Sequence, residues 1–318
     1  MAADGLGPAQ SDPLTRLTSL GERGKEPASK SILNAWVNQA QAQVGLDTGR
    51  LGWLVASTVV VAALQRAIDE EGRTRFLLKG GTYLQHRLSW TGRPTKDIDG
   101  MVQGDIDEFL AALDDALRLP WGPLVLTRDA IEVINTPGKI IKPRRFDVLV
   151  SLKGQVWRRI QIEIAPDEAG ASGEQDILAA PGLHHFGLPS PDHLVGIAMR
   201  FQIAQKIHAG TDPHDPPDLR NDRARDIVDL LLLRDLVNAE QSPTTYEVRH
   251  ACVSLFESRA AEARELGRLE RSWPPIATAH EHWSRDYSVA ATAGGVTVSL
   301  ANAVSELNTW IAQIDAAG

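Results

Sequence analysis

With 318 residues, 43% of them hydrophobic and 23% charged, the chain has the composition of a globular protein of one large domain or two ordinary ones. Wholesale disorder, collagen-like repeats and disulfide scaffolds are excluded, and the single cysteine, Cys252, allows neither an intrachain disulfide nor a cysteine-based metal cluster. A net charge of −8 disfavours whole-surface binding of nucleic acid but leaves room for a local basic groove.

Residues 1–28 are rich in Gly, Pro, Ser and charge and read as a flexible tail. Ser31 can cap a helix running to Gln43, and a longer helix is expected from Arg50 to Glu71. The apolar run from Trp53 to Leu64 inside it is too short to cross a bilayer, so it reads as a buried helix. No basic-then-apolar leader opens the sequence, and a cytoplasmic protein with no membrane partner is expected.

Arg75 to Leu78 reads as a strand broken by Gly80-Gly81, with a short helix from Thr82 to Ser89. Lys96 to Val102 alternates as a strand, and Asp105 to Leu117 is a helix with an acidic start. Three strands are expected at 130–135, 146–152 and 158–164. From Pro189 the pattern turns helical, with helices at 191–209, 223–237, 244–269 and 298–316, interrupted by a Pro/Asp loop at 211–222. The expected fold is therefore α+β: a mixed-sheet core over residues 29–188 with N-terminal helices, then a mostly α-helical domain over 189–318.

The chemistry concentrates in residues 77–99. Gly80-Gly81-Thr82 sits at a strand-to-helix turn, where backbone amides and the positive end of the helix can approach an anion. Asp97 and Asp99, two apart on one strand, project to the same side and repel each other unless a cation sits between them. Such hard oxygen ligands suit Mg²⁺ or Mn²⁺. A third carboxylate on a neighbouring strand is Glu163 or, as the competitor, Asp147. In the helical half, Lys206 lies off the main apolar stripe, and Asp226 and Asp229 share a helix face.

GGT, RPTKDID, a helix lysine and RARDIVDL together resemble the AbiEii/AbiGii-type nucleotidyltransferases, which include the MenT-like toxins of toxin–antitoxin systems, within the polymerase-β-like superfamily. The resemblance covers about residues 75–235. It implies a metal-dependent enzyme that moves a nucleoside monophosphate from an NTP to RNA, most often the acceptor end of tRNA, and that has a cognate antitoxin. Carried onto this sequence, it implies that Gly80, Gly81, Thr82 and Thr95 lie at the nucleotide and that Asp97, Asp99 and Glu163 hold the metal. It also implies that Lys206 neutralises phosphate charge and that Asp229, or else Asp226, is the acid of the helical half.

Between Lys139 and Arg159 stand seven basic residues, Lys139, Lys142, Arg144, Arg145, Lys153, Arg158 and Arg159, against one acid, Asp147. A basic strip there suits an RNA backbone, with Trp157 available for stacking. A nucleotidyltransferase for small cationic molecules would need an acidic acceptor pocket instead. A non-catalytic nucleotide-binding regulator would tolerate loss of the carboxylates, all of which are present. Thr95, two residues before Asp97, is the expected position for silencing by phosphorylation, since added negative charge there would repel metal and triphosphate. No GxxxxGK[ST] motif occurs, so a P-loop site is excluded.

Overall fold

The computed structural model describes residues 12–47 and 49–318. It is mixed α/β, as the sequence leads one to expect, with an eight-stranded sheet and a following helical half. The expected flexible tail is corrected in part: Pro13–Thr18 form a helix, α1, whose N-cap Asp12 accepts from the Thr15 amide at 2.9 Å. Residues 1–11 lie outside the described residues.

Helix α2 (Lys30–Val44) is capped by Ser29 rather than Ser31, and ends on Gly45 in the left-handed conformation that a side chain would strain. Helix α3 (Arg50–Leu64) is almost wholly buried, which is what sustains its β-branched run. It stops at Leu64, short of the expected Glu71, because residues 68 and 74 pair in a turn that leads into strand β1 (Phe76–Lys79).

Helix α4 (Gly80–Arg87) follows β1 directly, and β2 (Asp97–Val102) returns antiparallel to β1. Helix α5 (Ile106–Arg118) starts on Asp105, which accepts from the amides of Asp107 and Glu108. Then come β3 (Leu124–Arg128), the two-residue β4 (Glu132–Val133), and the long hairpin β5 (Arg144–Leu152) and β6 (Gln155–Pro166). Strands β7 (Gln175–Ala179) and β8 (His193–Ile197) complete the sheet in the order β3-β5-β6-β2-β1-β8-β7, with β4 beside β5.

Two expectations for this region are corrected. Residues 130–135 give only the short β4, and β3 just before it was missed because its alternation is brief. Residues 193–197 are a strand and not the start of a helix; helix α6 runs from Met199 to Gly210. After the exposed His193 the run LVGI is apolar and buried, and periodicity does not separate such a strand from a buried helix. Gly196 settles the matter: a Cβ there would meet the Tyr83 ring at 2.7 Å and the Leu78 carbonyl at 2.9 Å.

The sheet passes into helices at Ala198. Helices α7 (Ala224–Glu240), α8 (Thr245–Glu265), α9 (Ser284–Gly294) and α10 (Leu300–Asp315) form the helical half with α6. A capping box of Thr244 and Glu247 starts α8. The 211–222 loop is pinned by the buried Asn221, whose amide donates to the Asp212 carbonyl at 2.7 Å and whose own carbonyl accepts from the Trp283 indole at 2.6 Å. No helix among the described residues is long and apolar enough to cross a membrane.

Candidate active site

Parallel pairing of β2 with β6 sets Asp99 directly opposite Glu163, and antiparallel pairing of β2 with β1 sets Asp99 opposite Lys79. The pleat puts Asp97 on the same face two residues away. These side chains line a cleft of about 1070 Å³ that is closed on its far side by α6, α7 and α8. The cleft therefore lies between the sheet and the helical half, as the order of the motifs requires.

Gly80 is needed where it stands. Its φ is +67°, and a Cβ there would collide with the Asp99 carboxylate. Its amide donates to Gln202 Oε1 at 3.0 Å, so β1 is tied to α6 at the site. A Cβ at Gly81 would lie 3.1 Å from Thr95, which explains the second glycine. Helix α4 has no side-chain cap, and Gly80 and Gly81 at its start line the cleft.

Thr82 is corrected as a nucleotide contact. Its side chain is buried away from the cleft, and its hydroxyl donates to the Asp97 backbone carbonyl at 2.9 Å. It positions the first aspartate instead. Thr95 does line the cleft, and its hydroxyl donates to Asp97 Oδ1 at 2.8 Å.

Burial pushes the Asp99 carboxyl up to about 6; Lys79 opposes this, while Asp97 and Glu163 add to it. A buried carboxylate with others of like charge beside it is the environment a divalent cation relieves. Glu163, however, gives Oε1 to Arg145, with Nε at 2.9 Å and Nη2 at 2.6 Å. Among the described residues no three carboxylate, histidine or cysteine side chains are gathered as a ready metal cage. The expected three-carboxylate set is thus corrected to a pair, Asp97 and Asp99, with Glu163 beside it and partly engaged. A pair of carboxylates completed by phosphate oxygens and water fits Mg²⁺ or Mn²⁺. Asp147 drops out, since it pairs with Arg159 at 2.8 Å outside the cleft.

The opposite wall carries Lys206. Its ammonium donates to Asp226 Oδ1 and to Asp229 Oδ2, both at 2.7 Å, which leaves one donor free. Burial alone would lower its pKa, but Asp226 and Asp229 outweigh burial and hold it raised. Asp229 is buried, and burial alone would raise its carboxyl. Lys206 and Arg93 hold it below the ordinary carboxylate range. Asp229 has no free oxygen for substrate: it is a positioning residue, whereas Asp226 lines the cleft. Arg93, which forks both oxygens of Asp229, was not singled out from the sequence; its place in RPTKDID carried no signal without its partner.

Lys79 was also missed. It lines the cleft beside Asp99 and makes no side-chain hydrogen bond or ion pair among the described residues. Burial lowers its pKa against the pull of Glu168 and Asp99. Glu168 itself clamps sheet to helices, accepting from Arg259 at 2.7 and 3.0 Å, Lys139 at 3.0 Å and Gln205 at 2.8 Å.

The expected basic strip is not one surface. Lys139 pairs with Glu168 and Glu262, and Lys142 donates to the carbonyls of Thr136 and Lys139. Arg144 donates to the Lys142 carbonyl, Arg145 to Glu163, and Arg159 to Asp129 and Asp147. Arg158 packs on Trp157 and against Gly52 of α3, on the core side. Trp157 is buried, with its indole donating to Asn34 Oδ1 at 2.8 Å, and cannot stack on a base. The pleat sends alternate residues to opposite faces, which a linear count of charge cannot show.

The chain is similar to known proteins. A family described as "Nucleotidyl transferase AbiEii toxin, Type IV TA system" matches residues 62–303. Among solved structures, MenT4, a nucleotidyltransferase toxin from Mycobacterium tuberculosis H37Rv, is 14% identical; the match covers 90% of this chain and 99% of that one, with a TM-score of 0.47. JHP933 from Helicobacter pylori is 15% identical, covering 85% of this chain and 93% of that one, with a TM-score of 0.44. No curated protein matches at a significant level. Since the matched span takes in both the Gly-Gly turn with its paired aspartates and the Lys206–Asp229 wall, the chain belongs to the AbiEii family of nucleotidyltransferase toxins of type IV toxin–antitoxin systems.

Proposed function

We propose that this chain transfers a nucleoside monophosphate from an NTP to a hydroxyl of RNA, with the acceptor end of tRNA as its target, and that a cognate antitoxin restrains it. The observation that carries the reading is the register pairing of Asp99 with Glu163 beside Asp97, in one cleft with Lys206. In the reaction the acceptor hydroxyl oxygen bonds to the α-phosphorus, its proton leaves, and the bond to the pyrophosphate oxygen breaks. Mg²⁺ or Mn²⁺ held by Asp97 and Asp99 would supply Lewis-acid stabilisation of the phosphoryl oxygens. The α4 amides and the Gly81 backbone receive the phosphates, and the free donor of Lys206 offsets their charge. Arg93 and Asp229 keep Lys206 in place, so positioning and charge neutralisation carry most of the acceleration.

The charge of the cleft supports a polyanionic acceptor. Ten basic residues line it against eight acidic ones, in a chain of net charge −8. That excess of positive charge favours a polyanion over a cationic small molecule. Thr95 is the position proposed for silencing by a partner, because a phosphate there would stand against Asp97.

Incubating the protein with each labelled NTP, Mg²⁺ and total RNA tests the reading. Labelled RNA of tRNA size, lost with a chelator and in Asp97→Ala, is the expected result. Label that never enters RNA, whichever nucleotide is supplied, overturns it.

A further inference from the structure

The other wall of the cleft carries cations of its own. Three arginines there, Arg223, Arg225 and Arg268, are exposed, line the same cleft as Asp97 and Asp99, and make no side-chain hydrogen bond or ion pair among the described residues. The remaining cations of that wall are committed: Arg259 to Glu168, Arg271 to Asp212, and Arg220 to Asp222. Only Asp286 stands there as an acid without a side-chain partner among the described residues.

This rim is built, not frayed. Arg223 is the N-cap of α7, and its amide donates to Asn221 Oδ1 at 3.0 Å. Asn221 is buried and held by the Trp283 indole, so the turn that presents Arg223 and Arg225 is anchored to the helical half. Leu269, which is 75% exposed, and Leu219 line the same wall. Apolar side chains on the same wall as free guanidinium groups suit a ribose or base flanked by phosphates, and less well a bare inorganic anion. Arginine also forks phosphate oxygens, which fixes orientation as well as charge.

We propose that Arg223, Arg225 and Arg268 hold the phosphodiester backbone of the acceptor RNA, so that the acceptor enters along the helical wall and not along the β5–β6 hairpin. This rests on the RNA reading given above. Three phosphate contacts should show in the salt dependence of binding, since each one released lowers the slope of log K against log salt by about 0.7 for single-stranded RNA.

The test compares two triple variants of the full chain. One carries Arg223→Gln, Arg225→Gln and Arg268→Gln; the other carries Arg144→Gln, Lys153→Gln and Arg159→Gln. Binding of bulk tRNA and of a fluorescent single-stranded oligoribonucleotide is measured over a salt series, and binding of a fluorescent ATP analogue is measured separately. The rim variant should bind both RNAs roughly tenfold more weakly, with a slope about 2 smaller, and should keep its nucleotide affinity. The hairpin variant should stay close to wild type. Wild-type RNA binding by the rim variant, equal weakening by the hairpin variant, or a parallel loss of nucleotide binding each overturns the proposal. Wild-type protein that binds no RNA at all instead overturns the acceptor reading on which it rests.

Discussion

Arg93 forks both carboxylate oxygens of Asp229, Nε to Oδ1 at 2.8 Å and Nη2 to Oδ2 at 2.7 Å, across 136 positions of sequence. One partner precedes the paired aspartates of the sheet, and the other stands on α7. Since Asp229 also accepts from Lys206, a single buried carboxylate fixes two cations and joins the two walls of the cleft. Replacing one partner leaves buried charge uncompensated. Asp229→Ala should therefore cost about 3 to 5 kcal/mol of stability, read from urea midpoints, and should abolish transfer. Asp226→Asn keeps an acceptor for Lys206 and leaves Asp229 in place, so it should cost less stability than Asp229→Ala while transfer falls. Equal stability of the wild type and Asp229→Ala would contradict the clamp.

Asp99 predicts a separation of stability from activity. Its carboxyl is raised to about 6 in the fold, above its ordinary value, so the protonated form is favoured by folding. The associated stability is fully present below pH 4 and is lost as the pH rises through 6. The loss is at most about 3 kcal/mol, from a shift of two pH units. Asp99→Asn should thus melt higher than the metal-free wild type at pH 8, yet transfer no nucleotide. Added Mg²⁺ should raise the melting point of the wild type and leave that of the variant unchanged.

His208 gives the opposite sign. Burial, then Arg259 and Arg271, push it down to about 2, and its Nδ1 accepts from both arginines, at 2.9 and 3.0 Å. A histidine kept neutral in the fold contributes stability above its unfolded pKa of about 6.5 and loses it as the pH falls, by about 1.4 kcal/mol per pH unit. His208→Asn should flatten the fall in stability between pH 6 and 4.5 by about one proton's worth. An unchanged slope in urea titrations at several pH values would place the charge sensitivity elsewhere.

Lys79 stands beside Asp99 with no side-chain partner among the described residues, at the mouth of the Gly-Gly turn. A lysine so placed meets phosphate as a point charge. Lys79→Met should raise the KM for NTP by about tenfold, roughly 1.4 kcal/mol, with kcat less affected. Lys79→Arg should recover only part of that affinity, because a guanidinium does not fit the space of an ammonium. A fall confined to kcat would place Lys79 at the acceptor.

Thr95 offers a control point. Its hydroxyl already bonds Asp97 Oδ1, so a phosphate of about −1.5 to −2 charge would stand directly against that carboxylate. Thr95→Glu should lose nucleotide affinity, whereas Thr95→Ser should stay active. Mass spectrometry after co-expression with the neighbouring gene product should find added mass on the Thr95 peptide. Full silencing with an unmodified peptide would point to steric blockade.

The sequence by itself determined the Gly80-Gly81 turn, the spacing of Asp97 and Asp99, and the helical character of the chain beyond Ala198. Each of these is written locally: in the φ that glycine permits, in the two-residue pleat, and in the 3.6-residue repeat. Which residues face one another was decided only by the tertiary structure. Arg93 and Lys206 acquire their roles from a carboxylate far along the chain, and Thr82 turns from ligand to support because α4 packs it under β2. The seven basic residues from Lys139 to Arg159 are a strip only on paper. Strand pairing divides them between two faces and gives most of them acids or carbonyls, since a charge that folding partly buries must find a partner. On the helical wall the arginines without side-chain partners among the described residues are Arg223 and Arg225, whose motif was read for its aspartates, and Arg268, which lies in no motif. Their freedom is a property of the fold, visible only once the other cations of the helical wall have been matched.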